Sequence, residues 1–362
     1  MKKKILFVAS TMVHIENFHL QYIAELKKEN DVFTMATGKG FSGKTADFDV
    51  EFQKKIFSFK NLKTVKIIKR ILKEQNFDVV ILNTTLASFF VRLAIKGLKK
   101  KPKVINIVHG YLFGSNSGFL KKTAFLFAEK YVRKVTDHIL VMNQEDKDIA
   151  TKNKLSKNEV LFIRGMGIDG SRFKQIKTKP LCTSNEFVIS FIGELSSRKN
   201  QKNLIDFVAG LKKYDLTAKL NLIGYGDKEE FLKQQAKKLG VENQICFVGY
   251  DNNIEKYLSE TDYYVSASRI EGMPFNLLEA MFAGLVVFSS DIKGAVDIVK
   301  DFETGILFRD LDVENLIAKF RIVRNDLTLQ QKIRKNAKKT AEKYEINNVF
   351  GENIGILKKL ID

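Results

Sequence analysis

Short apolar runs recur along the whole chain, spaced so that one amphipathic helix fits between each pair, and this alternation constrains the fold more than any other feature. In the first half the runs are Ile5 to Ala9, Val32 to Ala36, Val79 to Leu82, Val104 to Val108 and His138 to Met142. In the second they are Phe187 to Ile192, Lys219 to Ile223, Gln244 to Val248, Tyr263 to Ala267 and Leu285 to Phe288. Near-continuous apolar strands separated by helical periods suit parallel sheets covered by helices on both faces. The expected class is therefore α/β, with two doubly wound domains, and 362 residues are enough for two cores. Between Gly165 and Pro180, Gly165, Gly167, Gly170 and Pro180 punctuate a polar, basic stretch, which places the junction there. The expected domains are residues 1–168 and 169–344, followed by a terminal segment 345–362. Asp310 to Lys343 reads as helices closing the second domain, and Asn347 to Leu360 as the final helix.

Composition narrows the class. The chain is 44% hydrophobic and 28% charged, ordinary for a globular protein. Cys182 and Cys246 lack zinc-type spacing and read as apolar fillers in a reducing cytoplasm, which excludes a disulfide scaffold. Lys2 to Lys4 precede only the run Ile5 to Ala9, which reads as a buried strand rather than the core of a signal peptide. No apolar stretch approaches the roughly 18 residues that a bilayer span needs.

The net charge of +19 is unevenly placed. Residues 1–170 hold 31 Lys and Arg against 16 Asp and Glu, whereas residues 171–362 hold 30 against 26. A basic field of this kind attracts nucleic acid, an anionic membrane or a phosphorylated substrate. Within it, Asn61 to Phe77 puts Leu62, Val65, Ile68 and Leu72 on one helical face, ringed by Lys63, Lys66, Lys69, Arg70 and Lys73. Such a helix either lies on lipid or packs its stripe on a sheet and leaves its lysines solvated.

Chemistry concentrates in the segment Glu271 to Gly284. Thr261 to Ser268 reads as a strand, Glu271 falls in the loop after it, and Pro274 supplies a fixed φ for a helix start. The N–H groups around Phe275, Asn276 and Leu277 lack intrahelical acceptors and carry the positive end of the helix dipole, so they suit a diphosphate. Glu271 and Glu279 would then bracket that start with carboxylates suited to vicinal hydroxyls, a sugar's at one end and a ribose's at the other. An ordinary amphipathic helix with Glu279 solvated has the same spacing.

The segment resembles the Glu-x7-Glu motif of the retaining glycosyltransferases of family 4, and Ala280-Met281-x-Ala283-Gly284 with the strand Leu285 to Ser289 follow it as in that family. Other pieces match in order: His14-Ile15-x-x-Phe18-His19, Val108-His109-Gly110, Gly167-Ile168-Asp169-x3-Phe173, Gly193-Glu194-Leu195-x3-Lys199-Asn200-Gln201 and Thr304-Gly305-Ile306-Leu307. Together they resemble the branch that builds capsular and extracellular polysaccharides. The resemblance implies the two-lobed GT-B fold of two Rossmann-like domains facing across a cleft, the first on the acceptor side and the second binding a nucleotide-sugar, with the last helix crossing back to the first.

It also implies roles. Glu271 would grip the donor sugar, probed from the other side by His109 near the anomeric carbon. Glu279 would hold the ribose, and Lys199 would stabilise the leaving diphosphate. Many relatives carry arginine directly after Gly193. Here Glu194 stands there, and a carboxylate repels a diphosphate, so Arg198 is the candidate second cation. Pro274, Phe275, Asn276 and Leu277 complete the donor side, while His14 and Asn17 are acceptor-side candidates. No side chain is an obvious nucleophile, and the leaving phosphate would help deprotonate the acceptor on the same face.

Asp47-Phe48-Asp49 matches the Asp-x-Asp metal signature of the other major glycosyltransferase fold, but it lies in a polar loop of the opposite domain and reads as accidental. Gly224-Tyr225-Gly226-Asp227 reads as a tight turn. The expectation is retaining transfer from a UDP-linked sugar to a lipid-linked saccharide at the inner membrane face, with no cofactor and no essential metal. Glu271→Gln or Lys199→Ala would then abolish transfer with little loss of folding. Competing readings keep the fold but make the chain a nucleotide-sugar epimerase or a phosphorylase, or take the charge to mean nucleic-acid binding. Against the last, there are no zinc fingers, RNA-binding aromatic signature or basic tail.

Overall fold

The computed structural model describes residues 2–53, 59–309 and 311–362, which leaves Met1, residues 54–58 and Asp310, the expected start of the closing helices, outside the described residues. The chain forms two compact units, Met1–Gly167 with Asn347–Asp362, and Ile168–Ile346.

In the first unit the strands are β1 (Lys4–Thr11), β2 (Asp31–Thr37), β3 (Phe48–Asp49), β4 (Val79–Asn83), β5 (Lys103–Val108), β6 (His138–Val141) and β7 (Val160–Phe162). They form one parallel sheet in the order β3-β2-β1-β4-β5-β6-β7. The central run Ile5 to Ala9 is fully buried, as a strand covered on both faces must be. Around it lie α1 (Met12–Phe18), α2 (Leu20–Leu26), α3 (Phe59–Gln75), α4 (Thr85–Lys96), α5 (Phe119–Val132) and α6 (Gln144–Lys152).

Helix α3 turns Ile68 and Leu72 into the core that also holds Leu82 and Val91, whereas Leu62 is 58% exposed. Its inner face is completed by the buried polar residues Asn61 and Thr64, so the expected apolar stripe is shifted around the helix. Lys63, Lys66, Arg70 and Lys73 stay in solvent. Helix α4 is joined to α5 by a buried ion pair, in which both terminal nitrogens of Arg92 reach Glu129 at 2.8 Å.

In the second unit β8 (Glu186–Ile192), β9 (Thr217–Ile223), β10 (Ile245–Gly249), β11 (Tyr263–Ser266), β12 (Val286–Ser290) and β13 (Ile306–Phe308) form a parallel sheet in the order β10-β9-β8-β11-β12-β13. Its helices are α7 (Ser171–Lys174), α8 (Gln201–Leu211), α9 (Glu229–Lys238), α10 (Ile254–Ser259), α11 (Phe275–Phe282), α12 (Val313–Arg324) and α13 (Leu327–Glu342). Asp312 and Asp326 cap the last two, accepting the N–H groups of Asn315 and Leu329.

The final helix, α14 (Ile346–Ile361), packs with the first unit: Asn353 donates to Tyr22 Oη at 3.1 Å and to the Gly165 carbonyl at 2.7 Å. Both units are thus Rossmann-like. Three strands escaped the periodicity reading, β3, β7 and β13, because two or three residues are too few to show a period. Cys182 and Cys246 are free and only partly buried, less enclosed than expected of apolar fillers.

Candidate functional site

A doubly wound sheet binds ligands beyond the carboxyl ends of its strands, where the strand order reverses. In the second unit that point lies between β8 and β11, which are neighbours although residues 193–262 separate them in sequence. The loops leaving these strands are stitched together: Arg269 N–H donates to the Arg198 carbonyl at 2.9 Å, and Asn200 Nδ2 to the Ala267 carbonyl at 3.2 Å. Asn200 reaches it from a left-handed conformation, φ 55°, where an asparagine is tolerated.

At the centre sits Glu271, 8% exposed. Lys199 Nζ donates to Oε1 at 2.6 Å, and Arg198 Nη1 to Oε2 at 3.1 Å. Burial alone would raise this carboxyl. The charges of Lys199 and then Arg198 outweigh it and hold Glu271 below the ordinary carboxylate range. Glu194 is exposed and lies 3.9 Å from Arg198, so its carboxylate draws on the same guanidinium.

Gly193 follows β8 and donates its N–H to the Ile223 carbonyl at 2.8 Å. The Gly224 to Asp227 turn packs directly behind this loop. A Cβ on Gly224 would stand 2.2 Å from the Gly193 carbonyl oxygen, and φ there is +138°, so only glycine lets the two backbones meet. Tyr225 and Tyr250 stand exposed beside it, with ring centroids 5.9 Å apart.

Pro274 caps α11 rather than opening it, and Phe275 is the first helical residue. Asn276 anchors the helix start by donating from Nδ2 to the Ile192 carbonyl at 2.7 Å. Leu277 N–H is already shared between the Pro274 carbonyl and Asn276 Oδ1, so it is not the open donor that the sequence suggested. Glu279 lies one turn further on. Its carboxylate has no hydrogen-bond or ion-pair partner among the described residues, and burial, partly offset by Arg172, pushes it up to about 7.

The first unit gathers a second cluster at its own strand ends. Thr11 caps α1 through a 3.3 Å bond from His14 N–H. His14 and His109, the latter directly after β5, meet edge to face with ring centroids 4.7 Å apart. His19 stands 5.2 Å from the first ring and 5.3 Å from the second. Asn83, at the end of β4, bridges this group to the sheet, with Oδ1 3.2 Å from His109 Nε2 and Nδ2 donating to the Val8 carbonyl.

Burial lowers His14 to about 4 and holds His19 and His109 well below the usual imidazole range, with His14 adding to both effects. All three rings are neutral at pH 7. Asn17 is exposed and outside the cluster. His19 and Asn83 were not singled out as site residues, because a histidine after a helix and a polar residue ending a strand carry no distinguishing local signal. The Asp47 and Asp49 carboxylates are spent on internal hydrogen bonds: Asp47, in the bend before β3, accepts from Thr34 N–H and Oγ1, and Asp49, in the short strand β3 itself, accepts from Gly38 N–H.

Residues 172–340 match the family of glycosyl transferases group 1. The chain is 26% identical over 373 residues to EpsD of Bacillus subtilis (strain 168), itself assigned to the glycosyltransferases, covering 100% of this chain and 98% of that one. It is 26% identical over 284 residues to the UDP-Gal:alpha-D-GlcNAc-diphosphoundecaprenol alpha-1,3-galactosyltransferase of Escherichia coli, covering 75% of this chain and 72% of the relative. Among solved structures it is similar to Anabaena HepE in complex with UDP-glucose, with a TM-score of 0.78, 19% identity, and 99% and 100% of the two chains covered. The second unit thus matches glycosyl transferases group 1, and the similarity to a relative named as a glycosyltransferase runs the length of the chain.

Proposed function

We propose that the chain transfers a sugar from a nucleoside-diphosphate sugar, UDP-linked, to a lipid-linked saccharide in the assembly of a capsule, exopolysaccharide or O-antigen, with retention at the anomeric carbon. The observation that carries this reading is Glu271 held between Lys199 and Arg198 where the loops after β8 and β11 meet. Lys199 has three N–H donors and gives one to Glu271, which leaves two for diphosphate oxygens. Glu271 keeps lone pairs for sugar hydroxyls after accepting from its two cations. Gly193 allows close approach, Pro274, Phe275 and Asn276 supply the helix start, Glu279 takes the ribose, and His109 is assigned to the transferred sugar. These side chains and the helix start supply the cationic and dipolar stabilisation of a leaving diphosphate, so the reading assigns transfer no essential metal.

The relatives support donor and acceptor alike: HepE binds UDP-glucose, and the Escherichia coli relative is named for a diphosphoundecaprenol-linked acceptor. The basic first domain is assigned to an anionic membrane surface at the cytoplasmic face. No described helix is long and apolar enough to cross a membrane. Helix α5 instead exposes Phe119 (80%), Leu120 (83%) and Phe127 (69%) beside the solvent-facing Lys121 and Lys130, which suits an interfacial helix better than α3 does.

The test is a panel of labelled nucleotide-sugars with undecaprenyl-diphosphate-linked acceptors, with products separated and their anomeric configuration read. Transfer with retention, lost in Lys199→Met, is the expected result. Isomerised donor, phosphorolysis or an inverted product would overturn the reading. Sedimentation with phosphatidylglycerol vesicles tests the membrane part, which fails if Phe127→Glu with Lys121→Glu binds as wild type does.

A further inference from the structure

The histidine cluster of the first unit contains more nitrogen than its surroundings satisfy. His19 is fully buried with no partner for either ring nitrogen, and His14 Nε2 is also buried without one. A buried polar atom left unpaired costs about 1–3 kcal/mol, so two orphaned rings side by side call for an occupant. The local chain is shaped to bring them together. On an unbroken helix, residues five apart diverge by about 140°. Here α1 stops at Phe18 and His19, at φ −127°, restarts the chain as α2, which returns its ring to within 5.2 Å of His14.

One potential ligand atom from each of His14, His19 and His109 lies within 4.8 Å of the others. A tetrahedral ion with bonds of about 2.0–2.1 Å needs nitrogens about 3.4 Å apart, a contraction that side-chain rotation can supply. His109 is oriented from behind by Asn83, in the way an outer hydrogen bond sets the tautomer of a metal-binding imidazole. Neither of the two other donor types that would favour calcium or magnesium, carboxylate and carbonyl, belongs to this three-imidazole set.

We propose that His14, His19 and His109 form a site for a borderline divalent transition-metal ion of the zinc class, with three imidazole ligands and a fourth position open. The binding claim stands on these side chains alone and does not require the transfer reading. If His109 also serves the transferred sugar, the ion competes with it and acts as an inhibitor that a chelator reverses.

The experiment uses the full chain after chelator treatment, titrated with Co(II) and followed by the visible absorption of four-coordinate cobalt, then displaced with Zn(II). One equivalent is expected to bind, about a hundredfold or more weaker in His19→Ala and His14→Gln, and about 10–100-fold weaker in Asn83→Ala. Thermal melts of the metal-free variants establish folding, and His14→Gln, at a partly exposed position, serves if His19→Ala does not fold. Absence of a four-coordinate cobalt spectrum at micromolar metal overturns the proposal, and so does stoichiometric binding that survives in folded histidine variants. Loss of binding in the variants while wild-type transfer is indifferent to zinc upholds the site and removes only its inhibitory role.

Discussion

Replacing Glu271 by glutamine removes the carboxylate charge paired with Lys199, and the structure makes this a stability experiment as well as an activity experiment. Lys199 is 9% exposed and its ammonium sits 2.6 Å from the carboxylate. Removing one partner of a buried pair costs about 3–5 kcal/mol, because the survivor is left charged and desolvated. Glutamine keeps the shape and one acceptor oxygen, and Arg198, 41% exposed at its side chain, can turn to water. A cost at or just below the bottom of that range, about 2–3 kcal/mol, is therefore expected, or a fall of roughly 4–12 °C in the melting of a domain this size. This revises the expectation that the substitution leaves folding nearly intact.

The double variant Glu271→Gln with Lys199→Met removes both charges and should recover about 1–3 kcal/mol relative to the sum of the singles, while remaining inactive. The pH dependence has a definite sign. Because the folded carboxyl lies below its unfolded value, its contribution is present above the ordinary carboxylate pKa of about 4.3 and is lost as pH falls through the folded value. Urea unfolding of the four proteins at pH 7 measures the cycle. A single variant that unfolds with wild-type stability, or a double variant whose loss equals the sum, would refute the reasoning.

Other consequences follow from the same geometry. Glu279, pushed up to about 7 in the free protein, must ionise to accept two ribose hydroxyls, so nucleotide-sugar affinity should tighten as pH rises from 6 to 8, by up to about tenfold per unit below 7, and calorimetry should find this slope flattened in Glu279→Gln. Gly224→Ala places a methyl 2.2 Å from the Gly193 carbonyl at φ +138°, so donor protection against thermal unfolding should drop sharply; unchanged protection would remove this turn from the site. Glu129→Ala strands Arg92 in the first core and should cost about 3–5 kcal/mol in urea unfolding, whereas an effect under about 1 kcal/mol would show that the pair is dispensable.

Much of the fold was legible because each signal was local. A buried strand announces itself in four or five consecutive residues, and α14 was read within a residue or so of its ends. Helix α3 was legible as a helix but not in its facing: periodicity favoured Leu62, whereas packing put Asn61 and Thr64 inside and left Leu62 in water. The site shows the same division. Glu271, Glu279 and Lys199 could be named from strand, turn and helix starts, yet nothing local says that Lys199 and Glu271 share a bond, or that Leu277 N–H is already engaged.

By itself, the sequence determined the alternation of strands and helices, the glycines where backbones must touch, and the charged residues placed at strand ends, since each depends on a few neighbouring residues and their backbone preferences. Only the tertiary structure decided strand order, and with it which loops became neighbours. Adjacency of β8 and β11 turned two separate motifs into one charge-balanced cluster, and adjacency of β1, β4 and β5 brought three imidazoles and Asn83 together. The physical reason is that strand order is set by crossover connections and by burial summed over a whole sheet, a non-local quantity that no short window of residues contains.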